Sequence, residues 1–192
     1  VTNNKFYNDF LDWKKNLNSD FNIEIINDKT DTNEKRLGAI KDIELVIKKY
    51  KIKDDLLVIG GDNLFEFNLN EFTDKFKILK SHLVGVVDIL DVNKATQFGV
   101  VKLDNNSKII EFVEKSLNPP SSLVAACLYL FPKDLLNSIK LYIDEKNNCD
   151  APGKYIQWCI NKFNVYGHVF KKSWYDIGTF ETYKEANEHM NH

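Results

Sequence analysis

Several protein classes depend on features this sequence has little of. Its three cysteines, Cys127, Cys149 and Cys159, are odd in number, widely spaced and free of C-x-x-C or histidine-rich company. That argues against a disulfide framework or a zinc site and fits a reducing compartment, so the expected location is cytoplasmic. No apolar run approaches the ~18 residues of a bilayer span, no signal-like stretch is present, and no membrane partner is expected. Neither sign of charge is in excess: 26 Lys plus Arg against 28 Asp plus Glu leave −2. This is not the basic footprint of a nucleic-acid binder, and no nucleic-acid partner is expected. The four histidines share no metal-ligand spacing, and neither G-x-S-x-G nor a Cys/His nucleophile pattern occurs, so covalent hydrolase chemistry finds no support. Arginine is almost missing. Arg36 stands alone among the many lysines, and its planar fork offers phosphate or carboxylate a grip that a lysine does not.

What is present is an ordinary globular composition, 192 residues with 43% hydrophobic and 28% charged, and with no repeat or linker to mark a boundary. A single domain over 1–192 is expected. The first residue is Val1 rather than Met, which makes a fragment or processed product an expectation as well. Apolar spacing predicts a helix over 5–18, a strand over 21–26, a wholly polar loop over 27–36 and a helix from Gly38 to Tyr50. Leu56 to Ile59 is an unbroken apolar run and reads as a strand covered on both faces, ending in Gly60-Gly61-Asp62-Asn63. A helix at about 70–80 and a strand at 83–89 continue an α/β alternation with a largely parallel sheet. After Phe98 the pattern changes to a hairpin turning at 104–107, a strand over 123–131 and a helix to about Glu145. A second helix follows with Asp150 as its N-cap and Pro152 in its first turn, then a strand over 163–171 and a terminal helix capped by Thr179.

Two places could carry chemistry. Asp62 follows two glycines at the carboxyl end of a strand, where open α/β sheets bind ligands, and is placed to hold a hydrated Mg²⁺. Magnesium is usually held by one or two carboxylates plus substrate phosphates, and Asp176 is the natural second acid. The plainer alternative is that Asp62-Asn63 is a turn and Asp176 a local cap. Glu114-Lys115 closes the hairpin and opens a proline-bearing loop: an acceptor for hydroxyls beside a point charge for phosphate, or a solvated strand end. Gly99 marks either a bulge or room for a ligand. Trp13, Trp158 and Trp174 read as packing residues.

Taken in order, L-L-V-I-G-G-D-N (56–63), F-G-V-V-K-L-D (98–104), I-I-E-F-V-E-K (109–115), A-A-C-L-Y-L-F (125–131) and W-Y-D-I-G-T (174–179) resemble the sugar nucleotidyltransferases, over essentially the whole chain. The resemblance implies a Rossmann-like α/β/α three-layer mixed sheet. It also implies a reaction that joins a nucleoside triphosphate to a sugar 1-phosphate and releases pyrophosphate. By position, Asp62 and Asp176 would be the metal aspartates that hold Mg²⁺. Gly99 would lie beside the sugar, Glu114 would accept sugar hydroxyls, and Lys115 would meet the sugar phosphate. Asn63 follows the metal aspartate in G-D-N and is counted among the substrate-binding positions. The backbone at Val124 would line the sugar pocket, and Arg36, Leu37 and Gly38 would pass the nucleobase. Ser116 stands where the family has the proline of E-K-P, and Ala126-Cys127 where it has T-G. The family's first strand and its glycine-rich phosphate-binding segment have no counterpart, so the chain is expected to be inactive alone and to form a homo-oligomer or accept a complementing N-terminal segment. The rival expectation is a non-catalytic sugar-phosphate-binding or interaction module built on the same fold.

Overall fold

A computed structural model describes residues 1–190 of the chain. In chain order its elements are α1 (Tyr7–Asn16), α2 (Ala39–Tyr50), β1 (Leu56–Ile59), β2 (Asn63–Phe65), α3 (Asn70–Leu79), β3 (His82–Asp88) and α4 (Val92–Ala95). They continue with β4 (Gly99–Leu103), β5 (Ile109–Glu114), β6 (Leu123–Phe131), α5 (Asn137–Asp144), α6 (Pro152–Cys159), β7 (Val165–Phe170), β8 (Trp174–Asp176) and α7 (Phe180–Met190). By backbone proximity the chain divides into two compact units, Val1–Lys53 with Asn137–Pro152, and Asp54–Leu136 with Gly153 onward.

In the first unit α2 lies against α5, and Ile40, Ile139 and Tyr142 are buried. The free N–H groups that open any helix need acceptors, and α2 finds two outside itself. Ala39 N–H donates to the Asp150 carbonyl (3.4 Å) and Ile40 N–H to that of Cys149 (3.0 Å). Gly38, just before the helix, has φ +87, and a Cβ there would stand 2.6 Å from the Cys149 carbonyl oxygen. Both the left-handed backbone and the close approach require glycine. Arg36 pairs with the Asp150 carboxylate. The following helix begins at Pro152, with the proline in its first turn as read, so Ala151 and not the expected Asp150 stands immediately before it.

Two further readings of this unit do not hold. The strand expected over 21–26 is absent; only an isolated bridge joins Thr2 to Asn27, and Phe21 is 83% exposed. A β-rich run becomes a strand only where a ladder partner exists, and here it has a single bridge. Trp13 is not a core residue but 48% exposed, on a helix that buries nothing.

The second unit is built on a mixed six-stranded sheet, ordered β5-β4-β6-β3-β7, with β1 also paired to β6. The nine-residue β6 organises it. Its first half faces β4 (Val100↔Val124) and its second half faces β1 (Leu56↔Phe131 through Ile59↔Leu128), while β3 runs along its other side. Among the described strands of this sheet only β3 and β7 pair parallel. The sheet is therefore mostly antiparallel rather than largely parallel as the helix–strand alternation suggested, because the expected β4–β5 hairpin joins the same sheet and β6 runs antiparallel to β1, β3 and β4. Phe72 and Phe76 of α3 pack with Leu83, Leu128 and Phe170 in the core of this unit.

The strand at 56–59 forms as predicted, but it is not covered on both faces. Among the described residues it pairs only with β6, its burial alternates, and Leu57 and Ile59 are 38% and 44% exposed. Immediately after it, β2 pairs antiparallel with β8 in a two-stranded ribbon separate from the main sheet. The ribbon is too short for periodicity to announce it, and it sets up the site.

Candidate functional site

The two aspartates that stand 114 positions apart in sequence meet in this ribbon. The register places Asn63 opposite Asp176, and Ile177 N–H donates to the Asp62 carbonyl at 2.8 Å, so Asp62 and Asp176 sit on adjoining strand ends. Burial pushes the Asp176 carboxyl above the ordinary aspartate range, the Asp62 charge pushes it further, and Lys115 partly offsets both.

A hydrogen-bonded relay holds Asp62 in place. The Trp174 indole N–H donates to Asn63 Oδ1 (2.8 Å), and Asn63 Nδ2 donates to Asp62 Oδ1 (2.8 Å). Trp174 is itself braced edge-on against Phe98, 5.5 Å between ring centres. Gly60 completes the fit: a Cβ there would stand 2.7 Å from Asn63 Nδ2, 2.8 Å from Cys127 Sγ and 3.0 Å from Asp62 Oδ1. Gly61 has nothing within 4 Å, so of the two glycines only Gly60 is fixed by packing.

Cys127 is the residue sequence reasoning undervalued. Its thiol is pushed up to about 11 by burial first and then by the charges of Asp62 and Asp176, which places it beside the pair. The Tyr129 hydroxyl, buried two residues on along the same strand, partly offsets the rise. Cys127 also has φ +45, a left-handed conformation inside a strand that favours glycine. The signal was available, since Ala126-Cys127 replaces a T-G pair in the resemblance and the backbone has kept the glycine's shape.

The hairpin supplies the second cluster. Glu114 stands opposite Gly99 in the β4–β5 ladder, and Lys115 N–H donates to the Phe98 carbonyl (3.0 Å) before φ +49 turns the chain away. Burial raises the Glu114 carboxyl above the usual range, against the pull of Lys115 and Lys154. Lys115 therefore acts on both Glu114 and Asp176 and links the two clusters. Val124, paired with Val100, is fully buried, so only its backbone is available to a ligand.

Asp62, Asn63, Gly99, Glu114, Lys115, Val124 and Asp176 thus all belong to the second unit. Arg36, Leu37 and Gly38 belong to the first, where they line an open polar pocket of about 370 Å³ with Lys41, Asn148 and Asp150.

A sequence model of the nucleotidyl transferase family matches residues 2–192. The chain belongs to that family. Among curated relatives, the glucose-1-phosphate adenylyltransferase of Lachnospira eligens is 28% identical over 133 residues, 69% of this chain and 31% of that protein. The bifunctional protein GlmU of Methanocaldococcus jannaschii is 35% identical over 147 residues, 76% of this chain and 34% of its own. The chain spans about a third of the length of these relatives. Among solved structures, a UDP-glucose pyrophosphorylase with UDP-glucose bound superposes with a TM-score of 0.71 at 17% identity, covering 88% of this chain and 65% of that one. A Bacillus anthracis protein described as a glucose-1-phosphate thymidylyltransferase, with sucrose bound, gives 0.69 at 23%, covering 87% and 65%. The mixed α/β fold of the nucleotidyl transferases is thereby established for this chain.

The paired carboxylates fit a hard divalent cation. They are oxygen donors of like charge on adjoining strand ends, and magnesium typically takes one or two protein carboxylates and completes its shell with water and phosphate oxygens. Among the described residues no group of three or more His, Cys, Asp and Glu side chains is arranged to hold a metal, so the protein offers a pair rather than a cage.

Proposed function

We propose that this nucleotidyl transferase chain carries the metal and sugar-phosphate side of a site that joins a nucleoside triphosphate to a sugar 1-phosphate. In that reaction an oxygen of the sugar phosphate attacks the α-phosphorus of the triphosphate, and the bond to the leaving pyrophosphate breaks. The nucleophile is already an anion at neutral pH, so no general base is required, and the work left to the protein is alignment and charge neutralisation. Asp62 and Asp176 would hold Mg²⁺, which when bound supplies positive charge to the phosphate oxygens. Lys115 would neutralise the sugar phosphate, Glu114 would accept sugar hydroxyls, and Gly99 and the backbone at Val124 would leave room for the ring. Asn63 orients Asp62. The observation that carries the reading is the meeting of Asp62 and Asp176 across β2 and β8 with Lys115 acting on the same carboxylate.

No glycine-rich phosphate loop occurs within the 192 residues. In this reading the triphosphate loop comes from a complementing segment outside these 192 residues, and the chain acts in the cytoplasm, where its three thiols remain free. Among the described residues β1 pairs on one edge only, and that open edge with the exposed Leu57 and Ile59 supports a strand added there. Among the described residues no helix is long and apolar enough to cross a membrane.

A pyrophosphate-release assay with each common nucleoside triphosphate, glucose 1-phosphate and Mg²⁺ tests the reading. The chain alone is expected to release none, yet to bind a nucleotide-sugar in a Mg²⁺-dependent way. Full turnover by the isolated chain would overturn the division of the site. Nucleotide-sugar binding indifferent to Mg²⁺ would favour a non-catalytic module.

A further inference from the structure

Glu114 is confined from two sides by atoms that are not there. Its Oε2 lies 3.1 Å from where a Cβ on Gly99 would stand and only 2.0 Å from where one on Gly153 would stand. The Phe112 ring closes over the same points, 2.7 Å from the first and 2.9 Å from the second. Gly153 is buried in the first turn of α6, 39 positions from Glu114, and no sequence pattern ties them. Its backbone is not left-handed, since Gly38 is the one glycine with positive φ among the described residues. Conformational freedom therefore does not explain a glycine there, and helical positions ordinarily disfavour it. Space does explain it: the carboxylate occupies the volume a side chain would take.

We propose that Gly153 is a positioning residue for Glu114, its missing side chain forming the recess in which the carboxylate rests and so fixing where a sugar hydroxyl is received. The second half of this statement rests on Glu114 being the hydroxyl acceptor of the proposed function; the first half does not. The colliding atom is the far end of a flexible side chain, so Gly153→Ala is met mainly by rotation of Glu114 and a small adjustment of Phe112. The helix itself gains a better former. The displaced carboxylate would move toward solvent, away from the burial that raises it and from Lys154 on the next residue.

The test uses the intact chain with three variants, Gly153→Ala, Glu114→Asp and the two combined. Two readouts are made: the titration of the Glu114 carboxyl by carbon-detected NMR, and calorimetric binding of glucose 1-phosphate with Mg²⁺. In Gly153→Ala the carboxyl is expected to titrate nearer the ordinary glutamate range, with binding weakened about tenfold, the worth of a hydrogen bond to a charged group. The double variant, whose shorter acid leaves space for the added methyl, is expected to bind more tightly than the product of the single losses predicts. An unchanged titration and unchanged binding in Gly153→Ala would overturn the proposal. So would losses that multiply without rescue and accompany a fall in melting temperature, since that describes a packing defect. A shifted titration in a protein whose parent does not bind glucose 1-phosphate would keep the recess and overturn its use for a sugar hydroxyl, which is the failure of the functional reading instead.

Discussion

Replacing His82 with phenylalanine is expected to remove a large part of the acid sensitivity of this fold. His82 opens β3, is wholly buried among Phe131, Tyr155 and Phe163, and has Nε2 3.3 Å from the Tyr155 hydroxyl while Nδ1 has no partner. Burial lowers its pKa from 6.5 to about 4. Above pH 6.5 the ring is neutral in both folded and unfolded chains and costs nothing. Below that the unfolded chain takes up a proton that the folded chain refuses until about pH 4, so stability falls through this window by about 3 kcal/mol and then levels off. Asp42 works in the opposite sense. Its half-buried carboxyl is raised to about 6 by burial and by Asp28, so the folded chain keeps a proton that the unfolded chain gives up, and stability falls as pH rises from about 4 to 6. The two partly cancel in the parent, so the informative quantity is the difference between parent and variant. Urea unfolding at pH 7 and at pH 4.5 should show His82→Phe gaining about 2 kcal/mol on the parent as the pH is lowered, with the aromatic stack retained. An equal loss of stability in both proteins between the two pH values would refute the claim that His82 is held neutral.

Substitutions at four further positions probe the frame around the site. Gly85→Ala places a methyl 2.9 Å from Leu128 Cβ and 3.1 Å from Phe170 between central strands, and should cost about 1 to 3 kcal/mol in denaturant unfolding, whereas Gly61→Ala, facing open space, should cost little. Cys127→Gly removes a left-handed backbone cost of about 1 kcal/mol at φ +45 and should melt no lower than the parent, while Cys127→Val should melt lower. Thr179→Ala deletes the acceptor for Thr182 N–H (3.2 Å) at the start of α7 and should lower stability by about 1 kcal/mol in the same unfolding assay.

Much of this was legible in the sequence because it was local. The spacing of Ile40, Ile43, Val46 and Ile47 gave α2, the Asp104 turn gave the β4–β5 hairpin, and Thr179 capped the helix it was expected to cap. The failures share a cause, which is that strand pairing is decided by residues far away. Residues 21–26 have β-rich composition without a ladder, and Leu56–Ile59 has the composition of a central strand on a sheet edge. The sheet's antiparallel character depends on which strands β6 finds, and nothing in β6 itself states that. The site divides in the same way. Asp62, Asp176, Glu114 and Lys115 could be singled out by their places at strand ends and by order-preserving resemblance. Cys127 beside the aspartates, the Trp174–Asn63–Asp62 relay and Gly153 beneath Glu114 needed the fold, because each is a contact between segments that share no local pattern.

The proposed chemistry depends on the aspartate pair. The decisive measurement is calorimetric titration of Mg²⁺ into the chain saturated with a nucleotide-sugar, for the parent and for Asp62→Asn and Asp176→Asn. One Mg²⁺ per chain in the parent, lost in each variant while the circular dichroism spectrum is preserved, is the predicted result. Equal Mg²⁺ uptake by all three proteins would contradict it.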